Sequence, residues 1–171
     1  WHLLHSEDKG TTWTDTLLGC TAGMAFDPGN HQVEFCADGH SLHISQDGGS
    51  HWETVKDFPD HQLYSLALSP SNPKSIYLGS SGVIHSPDGG ASWEFLENGL
   101  GAAKYEFIVN PLDPSLYLLA VNEDKLWTVL KGSIETGNFG NLVLDYPGFP
   151  TFDNSGSTYI SKGNEFWKFN I

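Results

Sequence analysis

The chain has 171 residues, enough for one domain with a substantial core and too few for two ordinary domains. Its eight basic residues, all lysine, face 21 acidic residues, and the resulting formal charge of -13 repels the phosphates of nucleic acids and anionic membrane surfaces. No apolar run reaches the roughly 18 residues of a membrane-spanning helix, so we expect neither a nucleic-acid partner nor direct membrane insertion.

Short strands separated by turns are predicted along the whole chain. Nineteen glycines and nine prolines interrupt apolar runs, a spacing typical of strands rather than helices. The first segment, residues 1–19, contains "LHSEDKGTTW" from Leu4 to Trp13, in which a polar turn lies between two short strand-like stretches. We expect this segment to supply the last two strands of a partial sheet.

The next two units, residues 20–61 and 62–103, each read as four strands. Their first strands are predicted at Thr21 to Phe26 and at Leu63 to Leu68, and the turns "DPGN" and "SPSNP" follow. The third strand of each unit runs into a copy of the same polar turn, "HISQDGGSHW" or "IHSPDGGASW", and the fourth begins near the tryptophan that ends it.

Two further units complete the chain. Residues 104–145 begin with a strand from Tyr105 to Val109 but lack the aspartate and tryptophan of the repeated turn. Residues 146–171 begin with a strand from Gly148 to Phe152 and stop before any such turn. The open sheets predicted at both ends would be completed by further blades of a longer chain or by a second copy.

The repeat itself predicts the fold class. Asp47 and Asp88, at matching positions of the repeated turn, lie 41 residues apart, and a four-stranded sheet recurring every 40 to 45 residues is typical of a β-propeller blade. We therefore predict an all-β fold, a single β-propeller portion of four-stranded antiparallel blades. About four blades are represented, as three central units and partial blades at both ends.

The repeated turn has the form Ser-x-Asp-x-Gly-x-x-Trp and resembles the Asp-box, or BNR repeat. With the phrase "LALSPSNPKSIYLGSSGVIHSPDGGASWEFLENGL", it resembles the propellers of sialidases, xyloglucanases, sortilin-type receptors and photosystem II assembly factors. The resemblance covers nearly the whole chain and weakens after Lys131. The three copies comprise Ser6, Asp8, Gly10 and Trp13; Ser45, Asp47, Gly49 and Trp52; and Ser86, Asp88, Gly90 and Trp93.

These residue types suit a self-contained turn. Asp and Ser side chains can accept hydrogen bonds from backbone N–H groups a few residues on, and the glycine can adopt a positive φ. The tryptophan can fold over the turn, bury its ring between sheets and donate its indole N–H to a carbonyl. The resemblance implies that the box joins strands three and four on the face opposite the ligand site, so we interpret all twelve residues as structural.

Function is then expected on the opposite rim, formed by the loops between strands two and three and between successive units. These loops are "CADGH", "GSSG", "VNEDK", "KDFPDHQ" and "ENGLGAAK". Loops held by a rigid scaffold commonly carry binding sites. The predicted binding-rim residues are His40, His61, Tyr64 and Tyr105.

Catalysis is the rival hypothesis. Paired carboxylates perform glycoside hydrolysis. Four acidic residues lie in predicted rim loops: Asp38, Asp60, Glu123 and Asp124. Any acidic, loop-rich domain would supply such residues. The family's sialidases hold the substrate carboxylate with arginines, and this chain contains none. The leading hypothesis is a noncatalytic module that binds a protein or a glycan; the alternative is a fragment of a glycoside hydrolase of xyloglucanase type.

Metal and disulfide chemistry depend on few residues. The histidines do not show ligand spacing, since His40 and His43 would point to opposite faces of a strand, and neither a metal nor a cofactor is predicted. Cys20 precedes a first strand and Cys36 ends the adjacent antiparallel strand, so they could form a disulfide or remain two buried thiols. A disulfide would favour an extracellular, secretory or periplasmic location over the cytoplasm.

Overall fold

The structure is a computed structural model. It describes residues 2–96, the four strands at 104–109, 115–121, 127–133 and 138–140, and, near the end of the sequence, residues 150–153, 155, 157–162 and 165–169. The described residues form strands and turns without a helix. The strands are β1 Leu4–His5, β2 Thr14–Asp15, β3 Gly23–Phe26, β4 Glu34–Ala37, β5 Ser41–Ser45, β6 Glu53–Asp57, β7 Ser65–Leu68, β8 Ile76–Gly79, β9 Val83–Ser86, β10 Glu94–Leu96, β11 Lys104–Val109, β12 Ser115–Val121, β13 Trp127–Ser133, β14 Asn138–Gly140, β15 Pro150–Phe152, β16 Thr158–Lys162 and β17 Glu165–Phe169.

These strands form five antiparallel sheets in which chain neighbours are sheet neighbours. β1 and β2 form a two-stranded sheet, here called the first hairpin. The second blade contains β3 to β6, the third β7 to β10 and the fourth β11 to β14, while β15 to β17 form a three-stranded sheet. β7 lies beside both β3 and β11. The predicted fold class, antiparallel four-stranded blades with partial sheets at the ends, is confirmed.

The first strands of the second and third blades begin later than the sequence predicted, whereas β11 of the fourth blade begins one residue earlier, at Lys104 rather than Tyr105. β3 starts at Gly23 rather than Thr21, and β7 starts at Ser65 rather than Leu63. Ala22 and Leu63, which precede these strands, belong to the connections between sheets and fill the core, where they are 5% and 2% exposed. Apolar character predicted burial correctly, but it could not separate a strand from a buried connection.

The hydrophobic core of the described residues lies between the second and third blades. The second blade contributes Phe35 and Leu42, and the third contributes Leu78 and Ile84, each 4% exposed or less. Successive residues of a strand point to opposite faces of its sheet. Burying the facing apolar surfaces stabilises the pair of blades by about 25 cal/mol for each Å² removed from water.

The first hairpin differs from the blades in its packing. None of its residues belongs to the core of the described part of the chain. Leu17, which follows β2, has φ 60°, a left-handed conformation that is unfavourable for a leucine. The chain then reaches Cys20, which forms a disulfide with Cys36 on β4, with a Cα–Cα distance of 5.3 Å.

In residues 2–96 and the later described segments, no helix is long and apolar enough to cross a membrane.

Candidate functional site

The connections between strands lie alternately at the two ends of each blade, because the strands are antiparallel. In the second blade, residues 27–33 and 46–52 connect strands at one end, which we call the motif face. Residues 38–40 and 58–64 lie at the other end, which we call the rim, together with residues 80–82 of the third blade. The three repeated motifs lie on the motif face, each between the last two strands of its sheet.

Each motif is closed by hydrogen bonds between its own residues. In the second motif, Ser45 Oγ accepts from the N–H of Gly49 at 2.9 Å and donates to Asp47 at 2.9 Å. Asp47 Oδ1 also accepts from the N–H of His51 at 2.9 Å. The first and third motifs repeat this pattern with distances between 2.7 and 3.0 Å. These side chains therefore satisfy the backbone of their own turn.

The motif glycines and tryptophans complete the turn. Gly10, Gly49 and Gly90 have φ values of 87°, 86° and 97°, in the region that favours glycine. The indole N–H of each tryptophan donates to the carbonyl of its motif glycine at 3.0 or 3.1 Å. Trp93 also packs edge-on against Phe58, with ring centroids 5.2 Å apart.

One expectation for the tryptophans is wrong. Trp52 and Trp93 are half-buried, but Trp13 is 61% exposed rather than buried between sheets. Its ring lies over Gly10 of its own turn. Trp93 is covered in part by Phe58, which follows β6 of the second blade; none of the described residues presents an equivalent ring to Trp13.

The position four residues after the motif aspartate varies and determines what the aspartate contacts. It is Thr12 in the first motif and Ser92 in the third, and both hydroxyls donate to the aspartate. In the second motif it is His51, whose Nδ1 lies 2.6 Å from Asp47 Oδ2. The His51 side chain and backbone hydrogen bonds, with that of Ser45, lower the pKa of Asp47 to about 2.

This difference predicts acid sensitivity of the second motif. Because the folded-state pKa of Asp47 lies below the value of about 3.9 expected in an unfolded chain, its stabilisation is complete above about pH 5 and is lost progressively as the pH falls towards 2. Thermal unfolding followed by circular dichroism should show a smaller fall in melting temperature over this range for Asp47→Asn than for the native chain. Asp60→Asn, at an exposed rim position, is the control and should follow the native profile.

The rim is built from connections that are tied to one another by backbone hydrogen bonds. Phe58 N–H donates to the His40 carbonyl at 2.7 Å, and Leu63 N–H donates to the Gly39 carbonyl at 2.8 Å. Ser80 Oγ donates to the Gln62 carbonyl at 2.9 Å. Phe58 and Leu63 are buried beneath the surface at 5% and 2% exposure. The connection between the second and third blades is therefore held in place at several points.

Asp38 is the catalytic candidate whose surroundings are described most fully. Its Oδ1 accepts from the N–H groups of His40 and Ser41 at 2.8 and 2.6 Å, and its Oδ2 lies 3.1 Å from His43 Nε2. Burial opposes ionisation, but these hydrogen bonds together hold the pKa of Asp38 below its usual value. Oδ1 thus closes the turn while Oδ2 contacts His43, and the carboxyl is held ionised.

The other predicted rim residues have separate surroundings. Asp60 is exposed and has no hydrogen-bond partner among the described residues. The neighbouring His61 does not face it, because its ring packs on Phe95 at 4.4 Å and its carbonyl lies 2.9 Å from His40 Nδ1. Tyr64 is half-buried. Glu123 and Asp124, and the side chain of Tyr105, lie outside the described residues.

A buried polar cluster on the third blade was not predicted. His85 Nδ1 lies 2.8 Å from Glu94 Oε1 and His85 Nε2 lies 2.8 Å from Ser75 Oγ, while its ring stacks on Tyr77 with centroids 4.4 Å apart. Ser75 is 6% exposed and His85 9%, so the cluster satisfies polar groups within the sheet. The strand register that pairs His85 with Glu94 could have revealed this contact.

Metal ligands do not cluster in the part of the chain that the structure describes. Within it, no group of three or more His, Cys, Asp or Glu side chains is arranged to hold a metal ion.

The sequence comparison finds a distant relative. No family model matches the chain. The chain is similar to the xyloglucanase Xgh74A of Acetivibrio thermocellus, with 26% identity over a 131-residue alignment that covers 54% of this chain and 16% of the relative. The chain therefore spans about one sixth of the length of this curated relative.

Solved structures show a closer likeness in fold. The GH74 enzyme of Niastella koreensis matches with a TM-score of 0.74 at 21% identity, over 94% of this chain and 29% of the enzyme. YCF48 bound to D1 peptide matches with a TM-score of 0.58 at 19% identity, over 88% of this chain and 50% of YCF48. At these identities the likeness concerns the fold. The likeness shows that the chain has a β-propeller fold.

Proposed function

We propose that the chain is a noncatalytic propeller module that binds a protein partner on its rim. The observation that carries this proposal is the state of Asp38, whose Oδ1 closes a turn, whose Oδ2 contacts His43, and whose carboxyl is held ionised. A general acid of glycoside hydrolysis needs a raised pKa and a free proton, and Asp38 has neither.

The form of the rim supports recognition of a partner. The connections 38–40, 58–64 and 80–82 are cross-linked by hydrogen bonds, so little ordering is required when a partner binds. His40, Asp60 and Gln62 are exposed on this surface, and they offer polar contacts beside the ring pair of His61 and Phe95. A structural neighbour, YCF48, is bound to a peptide in its solved structure.

The motif face is proposed to be structural. Asp8, Asp47 and Asp88 each accept hydrogen bonds from their own turn, which leaves them less able to bind a ligand. The proposed single propeller portion then has a supporting face and a binding face. The disulfide supports an oxidising, extracytoplasmic compartment for the protein.

Binding measurements on a rim variant and a motif-face variant test the proposal. The 171-residue chain would be applied to peptide and glycan arrays, and binding to the strongest positive peptide would be quantified by interferometry. A His40→Ala/Asp60→Ala/Gln62→Ala variant should bind at least about tenfold more weakly, equivalent to about 1.4 kcal/mol. His51→Ala removes an exposed histidine from the motif face and should bind like the native chain. Equal binding by the rim variant would contradict the proposal, and selective binding to glycans would change the partner class.

A glycoside hydrolase fragment is the second candidate. The similarity to Xgh74A favours it, and Asp60 is a rim carboxylate without a hydrogen-bond partner among the described residues. In this case the second carboxylate would come from Glu123, Asp124 or another part of a longer protein. Hydrolysis of xyloglucan that is lost in Asp60→Asn, with an unchanged circular dichroism spectrum, would replace the binding proposal with this one.

A further inference from the structure

The described part of the chain contains three Asp–Gly pairs: Asp38–Gly39, Asp47–Gly48 and Asp88–Gly89. In such a pair the glycine nitrogen can attack the carboxyl carbon of the aspartate and close a succinimide ring, because glycine has no Cβ to obstruct the approach. Water then opens the ring to aspartate or to isoaspartate. The peptide unit between the two residues must rotate for the attack, so a hydrogen bond that fixes this unit slows the reaction.

The two pairs in the repeated motifs have a fixed peptide unit. Gly48 N–H donates to the Gln32 carbonyl at 3.0 Å, and Gly89 N–H donates to the Lys74 carbonyl at 2.7 Å. Each bond ties the motif to the connection between the first and second strands of its own blade. The glycine nitrogen cannot turn towards the carboxyl without breaking this bond.

The pair on the rim has no such bond. Among the described residues, neither Gly39 N–H nor the Asp38 carbonyl has a hydrogen-bond partner. The connection is held instead at the next carbonyls, since Gly39 accepts from Leu63 N–H at 2.8 Å and His40 accepts from Phe58 N–H at 2.7 Å. The peptide unit between Asp38 and Gly39 therefore lacks the restraint that both motifs have.

Ionisation of the carboxyls does not separate the three sites. Burial opposes ionisation of Asp38, but the hydrogen bonds in its turn still lower its pKa. The hydrogen bonds from Ser92 lower the pKa of Asp88, and those from His51 lower the pKa of Asp47 to about 2. All three are carboxylates at neutral pH, so the glycine amide makes the difference between them.

We propose that Asp38–Gly39 is the site at which the folded chain forms isoaspartate, while the two motif pairs are protected. The Asp38 carboxylate takes a proton from water, the Gly39 nitrogen bonds to Asp38 Cγ, and the amide hydrogen and the carboxyl hydroxyl leave as one water. Addition of water to one ring carbonyl then gives isoaspartate with no net change in mass. The product carries an extra methylene in the rim backbone. This modification does not depend on the proposed binding function.

Mapping of isoaspartate on the 171-residue chain tests the proposal. The folded chain would be aged in mildly acidic buffer and digested, and electron-transfer fragmentation would distinguish isoaspartate from aspartate in each Asp–Gly peptide. Isoaspartate should accumulate at position 38 at least about tenfold faster than at positions 47 and 88. In urea, without the folded restraints, the three rates should agree within about threefold. Deamidation at Asn98–Gly99 is counted separately, because its peptide changes mass.

Gly39→Ala is the matched control. The added Cβ obstructs the attack and meets only the end of the flexible Gln62 side chain, at 2.9 Å, so the variant should fold. It should lose isoaspartate at position 38 and leave the two motif sites unchanged.

Amide hydrogen exchange of the native chain gives an independent readout. Gly39 N–H should exchange at least about tenfold faster than the N–H groups of Gly48 and Gly89, and equal exchange would contradict the structural difference. Equal isoaspartate formation at the three sites of the folded chain would overturn the proposal. So would its absence at position 38 under conditions in which the unfolded chain reacts.

Discussion

Gly90→Ala is expected to lower the free energy of unfolding by about 2–4 kcal/mol, from overpacking and from a left-handed alanine together. A Cβ atom at this position would lie 2.5 Å from Val55 Cγ1 of the second blade, and Gly90 has φ 97°. The motif turn of the third blade cannot move away easily, because Trp93 packs on Phe58 beside it. Urea unfolding followed by tryptophan fluorescence measures the loss.

Two further variants show whether the contact with Val55 is the cause. Val55→Ala combined with Gly90→Ala should recover the steric part of the loss and leave the conformational part, so the two changes should couple by about 1 kcal/mol or more. Gly82→Ala is the matched control, because a Cβ there meets nothing within 4 Å, and it should change stability by no more than about 0.5 kcal/mol. Additive losses would show that the two blades do not touch at this point in solution.

Ser86→Ala is expected to cost about 1–3 kcal/mol, the usual penalty for a buried polar group that loses its partner. Ser86 is fully buried, accepts from the Gly90 N–H at 2.8 Å and donates to Asp88 at 2.9 Å. The alanine leaves the Gly90 N–H without an acceptor. The midpoint of urea unfolding, at constant slope, measures the effect.

The other motifs provide the comparison for Ser86. Ser45 is 1% exposed and makes the same two hydrogen bonds, so Ser45→Ala should cost a similar amount. Ser6 is less buried, and water can replace its contact with Gly10, so Ser6→Ala should cost less. Equal losses at all three serines would show that burial does not determine the contribution of this residue.

The prediction of strands succeeded because it depended on short-range pattern. Repeated apolar runs and turns at a spacing of about 41 residues placed β3, β7 and β11 within one or two residues of their observed starts. The motif hydrogen bonds also connect residues no more than four positions apart, so the same sequence closes the same turn each time.

Contacts between distant residues could not be predicted in this way. The interaction of Asp38 with His43, the pairing of His85 with Glu94 and the packing of His61 on Phe95 depend on strand register and on the route of the connections between blades. Those contacts show that Asp38 closes a turn and that the His61 ring packs on Phe95.

The different surroundings of the motif tryptophans show most clearly what the sequence determines and what only the tertiary structure decides. The sequence by itself determined the repeat, the propeller fold and a turn in which each tryptophan donates to its glycine, because these follow from local spacing and hydrogen bonding. Only the tertiary structure decided that Trp93 packs against the second blade while Trp13 is exposed, and that Cys20 joins Cys36. The physical reason is that burial and cross-linking depend on which blade lies against which face.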